Sequence, residues 1–254
     1  MKKFFTIASL TALMLSACSK EEMRSEQEGK GKVTISCVAS DAVAETRANI
    51  SCTTPAAEEF ALTIEGVDHT YSQEYASIAE FNEDNYLHLG SYKATVVAGD
   101  LAEEGFNTPT FVGSEEFLVE ARKATNVEIT ATIANAIVKV ETTERFDRYF
   151  AGGHTLTLTT EAGNAFDVSA QSEPLFIAPA TFTIAGTAIK QSAQSGAEGA
   201  EVALTYSPAE VKAQTLYTVK FDVEEAGSAT LNITLNETLV ESIDIEQELN
   251  DNAQ

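Results

Sequence analysis

The chain has no tryptophan, only three cysteines, three histidines and five prolines in 254 residues, and 16 lysines and arginines against 39 acids. Each shortage excludes something. Three cysteines cannot supply the disulfide framework that holds small secreted domains together. His69, His88 and His154 are scattered, with no partner at i+4 and no acid in zinc-protease spacing. No Gly-x-Ser-x-Gly elbow occurs. Gly152-Gly153-His154 runs into an alternating segment, not into a helix that could hold a phosphate. A formal net charge of −23 repels phosphate backbones and argues against nucleic acid as a partner. No apolar run reaches the roughly 20 residues of a membrane-spanning helix. Asn82-Glu83-Asp84-Asn85 and Glu248 to Asn252 offer oxygen ligands, but neither fits a calcium-loop pattern. The expectation is therefore a non-enzyme with no catalytic residues, no metal and no cofactor.

With 44% apolar and 22% charged residues, the chain has ample material for a packed core, so its acidity belongs to the surface. Lys2 and Lys3 open the chain, Phe4 to Leu15 is apolar, and Leu15-Ser16-Ala17-Cys18 follows. This is the pattern of a signal peptide cut before Cys18, with Cys18 then acylated. Each buried CH₂ of such an anchor contributes about 0.8 kcal/mol, so several chains hold firmly to membrane lipid. Removing residues 1–17 and their two lysines leaves 254 − 17 = 237 residues and takes the net charge from −23 to −25. Residues 18–32, polar and without apolar period, read as an acylated, flexible tether.

From Val33 onward, apolar residues recur at every second position. Val33/Ile35/Cys37, Phe60/Leu62/Ile64, Tyr92/Ala94/Val96 and Val127/Ile129/Ala131/Ile133 are examples in the first half. Leu156/Leu158, Phe182/Ile184, Val202/Leu204/Tyr206 and Tyr217/Val219/Phe221/Val223 continue the style in the second. These are half-buried strands, about seven per half, and any helix is short, between Tyr71 and Phe81. Tyr92 precedes Lys123-Ala124 by 31 residues and Phe182 precedes Lys212-Ala213 by 30, the trace of an internal duplication. The expected fold is all-β: two tandem Greek-key, transthyretin-like β-sandwich domains, residues 33–145 and 146–249, joined near 143–150.

Gly31-Lys32-Val33-Thr34-Ile35, Leu89-Gly90-Ser91-Tyr92-Lys93-Ala94 and Pro109-Thr110-Phe111-Val112-Gly113-Ser114 with Thr125-Asn126-Val127 carry a resemblance. The chain resembles the Bacteroidetes surface lipoproteins grouped as a domain of unknown function and associated with fimbrillin-like, cell-adhesion proteins. The resemblance covers most of residues 30–245. It implies the sandwich fold and an outer-membrane, outward-facing location, and no established activity. Lys20-Glu21-Glu22 resembles the export signal that carries such lipoproteins to the outer face. Thr46-Arg47-Ala48 lies where related pilins are cut after an arginine, freeing a groove for a neighbour's strand. The C-terminal run Leu239 to Leu249 would then be a donor. The other reading makes Arg47 an exposed loop residue and the last run an edge strand.

Cys37 and Cys52 also have two readings: a disulfide closing a short loop outside the cytosol, or, for Cys37, a small buried hydrophobe. Partners expected from this reading are membrane lipid through Cys18 and neighbouring pilin-like subunits, host protein or a glycan. The rival function is a glycan-binding accessory lipoprotein of a polysaccharide-uptake system, with Tyr71, Tyr75 and Tyr86 as its aromatic platform. Replacing Cys18 with serine should leave the precursor uncleaved and unacylated. Intact-mass measurement of the membrane fraction reads this directly.

Overall fold

The structure, a computed structural model, describes residues 29–42, 50–191, 199–226, 228–237 and 243–248, with side chains described as far as Val223. The first half contains β1 (Lys30–Ser40), β2 (Ala61–Gly66), β3 (Ser72–Tyr75), β4 (Tyr86–His88), β5 (Gly90–Ala98), β6 (Gly105–Phe106), β7 (Phe111–Val119) and β8 (Ala124–Ile133). Helix α1 (Ile78–Glu83) lies between β3 and β4 and is capped by Ser77, whose hydroxyl accepts from the Glu80 amide. The second half contains β9 (Ala136–Thr142), β10 (His154–Thr160), β11 (Ala165–Asp167), β12 (Leu175–Ile177), β13 (Phe182–Ile189), β14 (Glu201–Tyr206), β15 (Leu216–Ala226), β16 (Ser228–Glu237) and β17 (Ile243–Glu248). Helix α2 (Glu144–Tyr149) follows β9. The fold is all-β, as the alternating pattern requires.

The two halves repeat one topology. The first is a seven-stranded sheet ordered β3-β2-β5-β7-β8-β1-β4. The second reproduces β3-β2-β5-β7 as β11-β10-β13-β14, and β8-β1-β4 as β15-β9-β12. Orientations match too. β1 runs parallel to β8 and antiparallel to β4, and β9 runs parallel to β15 and antiparallel to β12. The spacing from Tyr92 to Lys123 and from Phe182 to Lys212 thus spans equivalent stretches, β5 to β8 and β13 to β15. In the first half the two layers join only where Phe111 and Val112 meet Ile133 and Thr132. Gly113 makes that approach possible, because a Cβ there would sit 2.6 Å from the Thr130 carbonyl oxygen and 2.9 Å from the Ala131 Cα.

Two apolar cores result. One gathers Val33, Ile35, Phe60, Leu62, Tyr92, Val96, Ile129 and their neighbours, the other Val138, Phe146, Leu156, Leu158, Ile184, Tyr217 and Phe221 with theirs. They share a wall. On β9, Ala136, Val138 and Val140 face the second core while Ile137 faces the first. On β12, Leu175 and Ile177 face the second core and Phe176 the first, and Leu216 at the start of β15 also packs on the first. The loop carrying β6 keys the halves together from the other side. Gly105 and Phe106 pair with Phe176 and Leu175, and Phe106 meets Phe166 edge-on at 6.0 Å. Glu104 accepts from the Thr160 hydroxyl (2.6 Å), the Asn164 amide (2.8 Å) and the Ala178 backbone N–H (3.0 Å).

Sheet membership changes between Ile133 and Ala136, before the 143–150 segment where the sequence suggested a junction. That segment is helix α2, built into the second core through Phe146 and Phe150. Thr143 caps it by accepting from the Phe146 N–H, and donates to Asp222 on β15, which also pairs with Arg145. Burial pushes the Asp222 carboxyl up, but the bonds from Thr143, Arg145 and the Val223 amide outweigh it and hold it below the usual carboxylate range. Phe176→Ala, which empties a fully buried site in the first core from a strand of the second, should cost about 3–5 kcal/mol. Denaturant titration of both halves should show the loss in each, since the wall is common.

Candidate functional site

The candidate site is the first strand and the slot it occupies. β1 alternates strictly, with Val33 and Ile35 buried and Thr34, Ser36 and Val38 exposed. It lies between β8, matched from Lys32–Ala124 to Ser40–Thr132, and the short β4, matched only over Lys30–Lys32. Beyond β4 the ladder is completed without a strand. The Val33 N–H donates to the Asn85 carbonyl (2.8 Å). At Ile35 a single side chain does the work: Asn82 Oδ1 accepts from the Ile35 N–H (3.2 Å) and Asn82 Nδ2 donates to the Ile35 carbonyl (3.0 Å). The second half repeats the device on β9. Gln171 Oε1 accepts from the Val140 N–H (2.8 Å) and its Nε2 donates to the Val138 carbonyl (2.9 Å). Both amides stand four residues before the short strand of their half, Asn82 before Tyr86 and Gln171 before Leu175. A primary amide offers the donor and acceptor of a peptide group, so it can stand in for a missing neighbouring strand.

The sequence did not single out Asn82 or Gln171 for this role; Asn82 was read there only as an oxygen ligand in a weak calcium motif. Its amide is engaged by β1, and Asn85 is buried with its carbonyl bonded to the Val33 N–H. Cys37 and Cys52 are not bonded to one another in this structure, and both are half-buried against the first core. Burial raises both thiols above their ordinary range, at Cys52 with help from the charge of Asp41. The three histidines do not meet. His69 bonds Asp68 (2.8 Å) and lies edge-on to Tyr92, His88 is exposed on β4, and His154 bonds the Ser169 carbonyl (3.0 Å). Among the described residues no three His, Cys, Asp or Glu side chains converge as metal ligands.

The tyrosine platform expected for sugar stacking is not assembled. Tyr71 and Tyr75 come together, hydroxyl to hydroxyl at 3.3 Å, but they are half-buried. Tyr71 packs edge-on against Tyr92 at 5.3 Å and Tyr75 against Phe81 at 5.2 Å. Burial first, then the Tyr71 hydrogen bond, pushes the Tyr75 phenol well above its usual range. Tyr86 sits on β4, while Tyr75 lies on β3, the other end of the same sheet. An open cleft of about 410 Å³ lies near the β6 loop, lined by polar residues including Glu59, Asp100, Glu103 and Asn107, with Phe111 as its aromatic. Phe111 is 1% exposed and presents no ring face to a sugar. Cys18, Leu15, Ser16, Ala17, Lys20, Glu21, Glu22, Arg47 and Ala48 lie outside the described residues. Within the C-terminal run, the described residues Ile243–Glu248 form β17, which pairs antiparallel to β16 at the edge of its sheet.

The profile of the family described as "Domain of unknown function (DUF4493)" matches residues 29–251. No functionally curated protein matches the chain. Among solved structures, a fimbrial assembly protein from Parabacteroides distasonis is 10% identical, with 85% of this chain and 99% of that one covered and a TM-score of 0.46. A candidate polysaccharide-binding protein from Bacteroides thetaiotaomicron is 8% identical over 88% and 100% of the two chains, at a TM-score of 0.43. A candidate cell-adhesion protein from Bacteroides eggerthii is 8% identical over 82% and 95%, at 0.40.

Asn82→Ala and Gln171→Ala should each lower stability by about 1–3 kcal/mol, because each strands a backbone donor and acceptor. Hydrogen exchange should locate the loss at the Ile35 amide in the first variant and at the Val140 amide in the second.

Proposed function

The chain belongs to the DUF4493 family, and from that premise we propose that it is a lipid-anchored, non-catalytic protein of the bacterial cell surface, structural or adhesive in role and fimbrillin-like in build. The observation that carries this reading is the pair of β units, each with its own core, keyed through one shared wall. Such a body transmits position and load between its ends, as a surface spacer or assembly subunit must. The signal pattern ending in Cys18 and the polar residues 19–28 supply the anchor and its slack. Lys20-Glu21-Glu22 supports outward display.

The slot of β1 supports an assembly role within the same reading. A cut between Arg47 and Ala48 would separate β1 from the rest of the chain, leaving its slot between β4 and β8 to a neighbour's alternating strand. Val33 and Ile35 would be replaced by the donor's inward residues, and the Asn82 amide would grip the donor as it grips Ile35.

Protease shaving of intact cells, with mass analysis of the anchored and sheared fractions, tests both levels. An acylated Cys18 peptide in the membrane and loss of the β-sandwich peptides on shaving are expected. A chain protected from the protease, or one found unacylated in the cytosol, would refute the surface reading. Sheared polymers beginning at Ala48 would establish strand exchange; a uniform form beginning at Cys18 that never polymerises would leave an anchored adhesin.

A further inference from the structure

One pole of the first half differs from the rest of this acidic chain. The start of β1, the β2–β3 loop (67–71), Leu89 between β4 and β5, and the β7–β8 loop (120–123) converge there. Backbone hydrogen bonds stitch them together: Val67 N–H to the Ser91 carbonyl (2.9 Å), Leu89 N–H to Gly29 (3.1 Å), Arg122 N–H to Lys30 (3.2 Å) and Lys32 N–H to Lys123 (3.1 Å). Seven large hydrophobic side chains are exposed among the described residues, and four of them, Val67, Tyr86, Leu89 and Leu118, lie at this pole. Val67 and Leu118 are 53% and 57% exposed and flank Ser91 on the outer face, Leu118 through strand pairing.

The charge is also reversed. Lys30, Lys32, Arg122 and Lys123 stand in these segments against Asp68 and Glu120, in a chain whose net charge is −23. Asp68 is bonded to His69 and Glu120 to Lys123, each at 2.8 Å. One row further in, Lys93 lies between Glu65 and Glu116. Residues 19–28 carry Lys20 and Arg24 against four glutamates, so any attraction to an anionic surface comes from the pole and not from the tether.

We propose that this pole is a membrane-seating surface: Val67, Leu89 and Leu118 enter the headgroup region of the lipid that holds Cys18, with Lys30, Lys32 and Lys123 on its phosphates. The inference rests on the anchoring reading above. The occupant follows from where the chain leaves the fold. Gly29 emerges at this pole, and the ten residues 19–28 reach at most about 35 Å fully extended. The pole is therefore the part of the protein held nearest the lipid. Tethering raises the effective concentration of lipid, so a contact too weak to recruit a free protein still orients an anchored one. Apolar side chains ringed by lysines suit that layer, where basic residues are attracted to an anionic surface and the attraction fades within a Debye length.

The absence of tryptophan gives a clean probe. Leu118→Trp and, as a reference, Val38→Trp are made in the acylated full chain and placed on vesicles of phosphatidylethanolamine and phosphatidylglycerol. Val38 is exposed and lies eight residues along β1 from Lys30, about 26 Å at a strand's rise. Flotation reports anchoring. With the protein afloat, the Leu118→Trp signal should shift to shorter wavelength and lose about half or more of its intensity to brominated lipid, while Val38→Trp stays water-like. Lys32→Glu with Lys123→Glu should weaken the quenching. A floating protein whose Leu118→Trp signal stays water-like would overturn the proposal. So would a shift without lipid quenching that grows with protein density, which would mean that a second copy covers the pole. Failure to float would remove the anchoring reading, and this one with it.

Discussion

Everything in this structure depends on three strands buried on both faces. The start of β9, β12 and the start of β15 cannot alternate apolar with polar, because their two faces close two different cores. That is why Ala136-Ile137-Val138 and Leu175-Phe176-Ile177 are continuous apolar triplets in a chain otherwise patterned with period two. A polar residue at Ile137 or Phe176 would be buried in the first core without a partner, at a cost set by its desolvation. Glu104 works in the same direction from outside, as a charged acceptor for three donors of the second half. The halves are thus joined by burial and not by a linker.

The duplication extends to how unpaired backbone is handled. In each half the first strand outruns its short neighbour, and in each half one amide side chain four residues upstream completes the ladder. The halves differ at their outer edges. β12 is covered by the Gly105-Phe106 finger of the preceding half, whereas β4 has β1 as its one strand partner among the described residues. The helices differ as well: α1 follows the third strand of its half, and α2 follows the first strand of the other.

Much of this was legible from the residues. Period-two runs located β1, β2, β5, β8, β10, β13, β14 and β15, because each of those strands buries one face and period reports burial directly. The spacing from aromatic to lysine located equivalent strands in the two halves. The change of sheet was not legible. Thr143-Glu144-Arg145 is polar like a linker, yet it caps a helix whose Phe146 fills a core, and sheet membership had already changed at β9. Tyr71 and Tyr75 flank polar residues and look exposed, but the β2–β3 hairpin returns them onto Tyr92 and Phe81. The roles of Asn82, Gln171 and Glu104 depend on partners from 31 to 74 residues away, a distance at which local pattern carries no information.

The parallel pairing of the first strand of each unit with a late one has a kinetic consequence. Lys32 meets Ala124, and Ile137 meets Leu216, so each unit closes its central pair only across a long stretch of intervening chain. Contacts between residues so far apart in sequence carry their loop-closure entropy before they return any binding, and chains dominated by them fold slowly. The first unit waits further, for Phe176 and Leu216 to complete its core. A chain of this design therefore completes its first core only after strands of the second half are available to close it.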